Sequence, residues 1–202
     1  MLLEGQCQPG AVVAIYPGTL YYPWYTRDKS LHPILMDNEY LISRFDGIVI
    51  DGKQWPRQAV MQRQHKRLLD FIGIGGSAKS SELPEQELLR YRNPFAIANY
   101  VNHPPPDKQA NCIAFAYTFT EKNTAPELRP YVPHKYHGAG GYLVGSDDAL
   151  AKSLVLVATR PINNEELLLN YRLNPAKPYP SWYTQPDPEE AARRWTRFRA
   201  FL

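Results

Sequence analysis

Apolar positions in this chain come in short runs. Most have the period of two or the unbroken β-branched character of strands; few have a helical repeat. The stretch "AVVAIYPGTLYY" predicts a strand over Ala11–Tyr16, a Pro17-Gly18 turn and a second short strand. "YLISRFDGIVIDG" predicts strands Tyr40–Phe45 and Ile48–Ile50 joined by Asp46-Gly47, two residues that tolerate positive φ. "CIAFAYTF" (Cys112–Phe119) alternates weakly and predicts a buried strand. "SLVLVAT" (Ser153–Thr159) is continuously apolar and predicts another. A helical period appears at the end, where "DPEEAARRWTRFRAFL" puts Ala191, Trp195, Phe198 and Leu202 on one stripe. Asp187 stands at its N-cap, Pro188 takes the first helical position and Glu190 completes a capping box. The stripe is expected to dock on the domain, with Arg193, Arg194 and Arg197 facing elsewhere. Residues 53–92 lose the strand pattern and read as an insertion with one helix, and 121–150 read as loop-rich. The expected class is mainly β with a minor α+β character.

The segment "NPFAIANYVNHPPP" (Asn93–Pro106) departs from the rest. Asn93 with Pro94 predicts the start of a short helix. Ile97, Tyr100 and Val101 would form one face, and Asn99, Asn102 and His103 the other, since spacings of three and four coincide on a helix. Pro104–Pro106 end it. Two amides and an imidazole side by side can satisfy a crossing backbone or meet a ligand, and spacing alone favours the buried network.

Composition narrows the classes. A chain of 202 residues can build one domain with a real core. A net charge of +3 selects neither an acidic nor a basic partner. Two cysteines, Cys7 and Cys112, cannot form a disulfide framework or a four-ligand zinc site. No apolar run reaches the length of a membrane span, and "MLLEGQCQPG" lacks the basic and apolar regions of a signal peptide. The expectation is an intracellular protein, nuclear or cytoplasmic, without membrane contact. Three other motifs are read as bland. "GIGGSAKS" (Gly73–Ser80) has Ala78 where a P-loop needs glycine and no α/β alternation around it, so it reads as a loop. His134 and His137 have metal-compatible spacing but no nearby carboxylate or thiol, so a mobile loop without metal is expected. "RQHKRLL" and the terminal arginines read as solvated faces, so direct nucleic-acid binding is not expected. A nucleic-acid adaptor would betray itself by a steep salt dependence.

The order of three motifs resembles the SET domain of protein lysine methyltransferases. The family's Tyr-x-Gly is Tyr16-Pro17-Gly18, its Asn-His lies in "NYVNH", and its Ile…Glu-Glu-Leu…Tyr is "INNEELLLNY", Ile162 to Tyr171. Together they cover roughly Gly5 to Tyr171. The resemblance implies a SET fold of short curved β-sheets with a C-terminal pseudoknot and a terminal amphipathic helix. It implies a domain over residues 1–175, with the insertion at about 53–92, and a tail over 176–202 that packs on it. It implies S-adenosylmethionine as cofactor, a lysine-bearing protein or peptide as substrate, and action as a monomer. By the same resemblance Tyr171 is the catalytic tyrosine, Asn102, His103 and Tyr100 bind the cofactor, and Tyr16 lines the lysine channel. Three departures stand out. No Gly-x-Gly turn precedes the first strand, Ser-Cys after Asn-His is replaced by Pro104-Pro105, and the glycine before Glu-Glu is missing. A protein truly lacking the Gly-x-Gly turn is expected to be a SET-fold binding module without catalysis.

Overall fold

The computed structural model describes residues 1–27, 38–53, 55, 89–137 and 149–199. The predicted insertion helix, "RQHKRLLDF" and "GIGGSAKS" lie outside the described residues. The secondary structure is mainly strand, as the apolar pattern predicts. In chain order the elements are β1 (Gln6–Cys7), β2 (Val12–Tyr16), β3 (Gly18–Tyr21), α1 (Pro23–Arg27), β4 (Leu41–Ser43), β5 (Val49–Asp51), β6 (Cys112–Thr120), β7 (His134–Tyr136), β8 (Ala149–Ala158), β9 (Ile162–Asn163) and α2 (Pro188–Arg199). The chain divides into two compact units. One holds Met1–Val13, Tyr100–Ala114 and Leu156–Leu202, the other Ala14–Asn99 and Phe115–Val155. Strands β2, β8 and β6 form a three-stranded sheet in that order.

The second unit contains a four-stranded sheet in the order β4-β5-β3-β7. Strands β4 and β5 form the expected hairpin, with Leu41 opposite Asp51 and Ser43 opposite Val49. Gly47 alone takes a positive φ there, at 80°, and its N–H closes the turn on the Arg44 carbonyl at 3.1 Å. Pairing of β3 with β5 is antiparallel and with β7 parallel. Leu20, Ile48, Ile50 and Trp55 are buried in this unit. Arg44 is buried too, and its guanidinium is fully committed. It forks onto Asp46 with two bonds of 3.1 Å, and Nη1 donates to the carbonyls of Tyr117 and Ser153. Burial pushes the Asp46 carboxyl up, but the Arg44 hydrogen bonds and charge outweigh that and hold it below its usual range.

His134 corrects the sequence reading. It lies on β7, buried, with Nε2 at 2.9 Å from the Tyr16 carbonyl and 3.1 Å from Ser153 Oγ. Burial drives its pKa down to about 3, offset in part by the Tyr16 bond and reinforced by the charges of Arg44 and Arg90. It is a neutral core histidine and not part of a mobile loop. Among the described residues no three His, Cys, Asp or Glu side chains cluster as a metal site would require. Strand β6 also differs from expectation. Only Cys112 is buried, and Ile113 and Phe115 are exposed.

The first unit is built around the chain's C-terminal half. β1 pairs with β9, and Leu2 forms an antiparallel bridge with Glu166. Val101, Cys112, Leu156, Ile162, Leu167 and Leu168 are buried. Helix α2 starts where the cap signal places it, since the Asp187 carboxylate accepts from the Glu190 N–H at 2.8 Å. The reciprocal half of the capping box does not form. Gln185 Oε1 takes the Asp187 N–H at 3.5 Å, and Glu190 turns to Arg194 at 2.7 Å, a stronger charged partner. Of the predicted stripe Ala191 is buried and Trp195 half-buried; the Phe198 and Leu202 side chains lie outside the described residues.

Candidate functional site

The segment after Asn93 is less helical than its spacing predicts. Asn93 Oδ1 accepts from the Phe95 N–H at 2.9 Å, a local turn, and only Ala98–Tyr100 close a 3₁₀ turn. Asn102 is extended instead, in a parallel bridge with Leu168, and its carbonyl accepts from the Leu169 N–H at 2.9 Å. A helix would turn these groups inward on themselves. The observed backbone pairing satisfies donors and acceptors of two segments at once, which burial of Val101 and Leu168 demands. The predicted polar face is therefore split. Asn99, in the second unit, donates to the Gly52 carbonyl at 3.3 Å. Asn102 donates to Glu166 Oε1 at 3.0 Å.

His103 and Tyr171 meet in the first unit. His103 Nδ1 accepts from the Tyr171 N–H at 3.3 Å, and Nε2 lies 2.7 Å from the Thr184 carbonyl. A carbonyl only accepts, so the Nε2–H tautomer satisfies both contacts. The Tyr171 hydroxyl donates to the Val101 carbonyl at 2.8 Å. Its proton is thereby committed, and toward any further group the phenol oxygen can act only as an acceptor. The next residue, Arg172, has φ of 51°, a left-handed conformation that is costly for a residue with a Cβ.

The tail, read from the sequence as a candidate cover for the site, supplies two aromatic groups, Trp182 and Tyr183. Tyr183 stacks on His103 with ring centroids 4.3 Å apart and 26° between planes. Trp182 lies 5.9 Å from Tyr171 in an edge-on arrangement and 6.3 Å from His103. Tyr183 is buried, and its hydroxyl accepts from the Leu173 N–H at 3.2 Å; Trp182 and Tyr171 stay exposed at 53% and 40%. The result is an aromatic surface of His103, Tyr171, Trp182 and Tyr183 with an accessible face. Tyr100 is exposed in the same unit. Tyr16 belongs to the second unit, where it is buried and its hydroxyl donates to the Tyr40 carbonyl at 2.8 Å. The structure thus joins Asn102, His103 and Tyr171. It adds Glu166, from the Glu-Glu-Leu segment, and Trp182 and Tyr183, for which the "SWYT" aromatic run was the available signal.

No family model matches the sequence. The chain is 30% identical over 172 residues, 83% of its length, to SET domain-containing protein 9 of Homo sapiens. The protein of the same name from Pongo abelii matches at the same identity and coverage. The chain is a divergent relative of SET domain-containing protein 9. It spans about half the length of these relatives, 51% and 56% respectively.

Two family motifs now have a local physical basis. Gly18, the glycine of Tyr-x-Gly, has φ of 146°, and a Cβ there would stand 2.1 Å from the Asp51 carbonyl oxygen. Only glycine lets β3 approach β5 this closely. Where SET proteins carry a glycine before Glu-Glu, Asn164 takes a left-handed φ of 47°. Asparagine tolerates that region, and its Oδ1 accepts from the Gly5 N–H at 2.7 Å. Of the two adjacent glutamates, Glu165 forks onto Arg160 with two 2.7 Å bonds, while Glu166 turns to Asn102. The Arg160 hydrogen bonds hold the Glu165 carboxyl down at about 2.

Proposed function

We propose that this chain is a SET-type, S-adenosylmethionine-dependent methyltransferase that acts on a lysine side chain of a protein or peptide. The observation that carries the reading is the parallel pairing of Asn102 with Leu168. It brings the Asn-His segment and the Glu-Glu-Leu…Tyr segment together, with His103 and Tyr171 in contact. The family's pseudoknot at this crossing belongs to the same proposal.

The donor set fits the cofactor. Aromatic faces favour a sulfonium cation and a purine ring. The Glu166 carboxylate and Asn102 amide suit a charged amino-acid end. When bound, S-adenosylmethionine supplies a methyl carbon on a positively charged sulfur. The chain's own residues do the rest. Tyr171, whose hydroxyl proton goes to Val101, offers an acceptor oxygen that orients the incoming amine. A free lysine, with pKa about 10.4, is neutral in only about one molecule in a few thousand at pH 7. Desolvation in a lysine channel raises that fraction by disfavouring the charged form. Tyr183 stacks on His103 and Trp182 stands edge-on to Tyr171, so the tail supplies the aromatic contacts of this side. Tyr100 is proposed as a further cofactor contact, and Tyr16 enters through its Tyr-x-Gly motif as a lysine-channel residue.

Calorimetry with S-adenosylmethionine tests the reading. Micromolar binding that is lost in Asn102→Ala supports it and justifies a screen of lysine peptides. A folded chain with no detectable binding refutes it and leaves a SET-fold binding module.

A further inference from the structure

One residue outside the Tyr-x-Gly, Asn-His and Glu-Glu-Leu motifs pairs closely with the segment that carries Tyr171. Asn111 is fully buried, at 0% exposure. Its Oδ1 accepts from the Leu168 N–H at 2.8 Å, and its Nδ2 donates to the Glu166 carbonyl at 2.8 Å. The side-chain amide imitates a peptide group and pairs with this segment as a neighbouring strand would. Its backbone N–H donates to the Leu168 carbonyl at 3.1 Å, and its carbonyl accepts from the Thr159 N–H at 2.9 Å. Cys112 adds an N–H bond of 3.2 Å to the same Leu168 carbonyl.

What this clamp holds is the stretch paired with Asn102. The Leu169 N–H is on the Asn102 carbonyl, the Glu166 side chain is on the Asn102 amide, and Tyr171 follows two residues later against Val101 and His103. A slip of one residue would point Tyr171 the other way, because side chains alternate along an extended segment. Asn111 reads one donor and one acceptor two residues apart on one edge of the segment, a pair that a slip of one residue turns to the opposite edge.

We propose that Asn111 is a positioning residue, setting the register of Glu166–Tyr171 against Asn102-His103 and so the placement of the Tyr171 hydroxyl. Its effect on ligand binding rests on the function proposed above; its effect on register does not.

Two variants separate the possibilities. Asn111→Leu keeps the size but leaves the Leu168 N–H and the Glu166 carbonyl without partners. Asn111→Asp keeps the acceptor for Leu168. It donates to Glu166 only when its carboxyl is protonated, a form that burial favours well above the usual carboxylate pKa of about 3.9. The titratable groups facing this position are Glu165, held down at about 2 by Arg160, and the Cys112 thiol, pushed up to about 11 by burial. The Glu166 carboxylate is turned to Asn102. Neither Glu165 nor Cys112 titrates between pH 5 and 8.

The readouts are amide hydrogen exchange at Leu168, Leu169 and Tyr171, and S-adenosylmethionine affinity, each at pH 5 and pH 8. Ile162→Val, a buried change in the same unit, controls for general destabilisation. The expected result for Asn111→Asp is fast exchange and about tenfold weaker binding at pH 8, with both recovering at pH 5. Asn111→Leu should be impaired at both pH values, and Ile162→Val at neither. Native-like exchange and affinity in Asn111→Leu overturns the proposal, as does a pH-independent Asn111→Asp. Wild-type protein that binds no cofactor refutes the proposed function. Exchange at the three amides then still decides the role of Asn111.

Discussion

Acid should destabilise this protein through one core residue. His134 is buried and neutral, with a pKa of about 3, against about 6.5 for an unfolded histidine. Between those values the unfolded chain binds a proton at this position and the folded chain does not, so stability rises with pH across the window. Acidifying from pH 7 therefore removes stability, starting near pH 6.5 and ending near pH 3. At about 1.4 kcal/mol per pKa unit the loss approaches roughly 5 kcal/mol, a large share of a typical domain's total. Other groups titrate in the same range, among them Asp46, whose lowered pKa also costs stability as pH falls below the carboxylate range. The measurement must therefore be a difference. His134→Gln keeps a donor for the Tyr16 carbonyl but does not titrate. Urea unfolding of both proteins, followed by tryptophan fluorescence from pH 7.5 to pH 3.5, gives two stability curves. The wild type should be the more stable near pH 7 and should lose about 3 kcal/mol more than His134→Gln on the way to pH 4. Parallel curves would refute the reasoning, because they would mean that His134 binds protons alike in the folded and the unfolded protein.

Further outcomes follow from the same geometry. Tyr171→Phe should lose about 1 kcal/mol with the Val101 bond and keep cofactor affinity within a few-fold, while lysine methylation drops about a hundredfold in a radiolabel transfer assay. Gly18→Ala should lower the thermal midpoint sharply, costing about 3 kcal/mol or more, because its methyl would overlap the Asp51 carbonyl. Replacing Asn164 by valine should cost about 1–3 kcal/mol, whereas Asn164→Gly should be nearly neutral; denaturant midpoints distinguish them. In the native protein a thiol reagent at pH 8 should label Cys7 and spare Cys112. Cys112 is buried and its thiol is pushed up to about 11 by burial, so equal labelling would contradict its placement.

Local signals in the sequence determined a good part of this protein. The Asp46-Gly47 hairpin, the strands around Pro17-Gly18, the buried run in β8 and the Asp187 cap are each dictated by residues within a few positions of one another. Turn geometry, period and capping are local physics, and a sequence displays them directly. The pairing of the Asn-His segment with the Tyr171 segment was not legible from spacing, which suggested a helix face. Asn102 is extended because Leu168, 66 positions away, supplies its backbone partner. His134 read as a loop histidine because nothing near it in sequence reveals Tyr16 or Ser153, the groups that satisfy it in the core. Asn111 drew no notice for the same reason, since both partners of its amide lie more than fifty residues downstream. The ring partners of Trp182 and Tyr183 emerged only when the tail brought them onto His103 and Tyr171. Hydrogen bonds and ring contacts between distant segments depend on where the folded chain places both partners, and tertiary structure alone decides that.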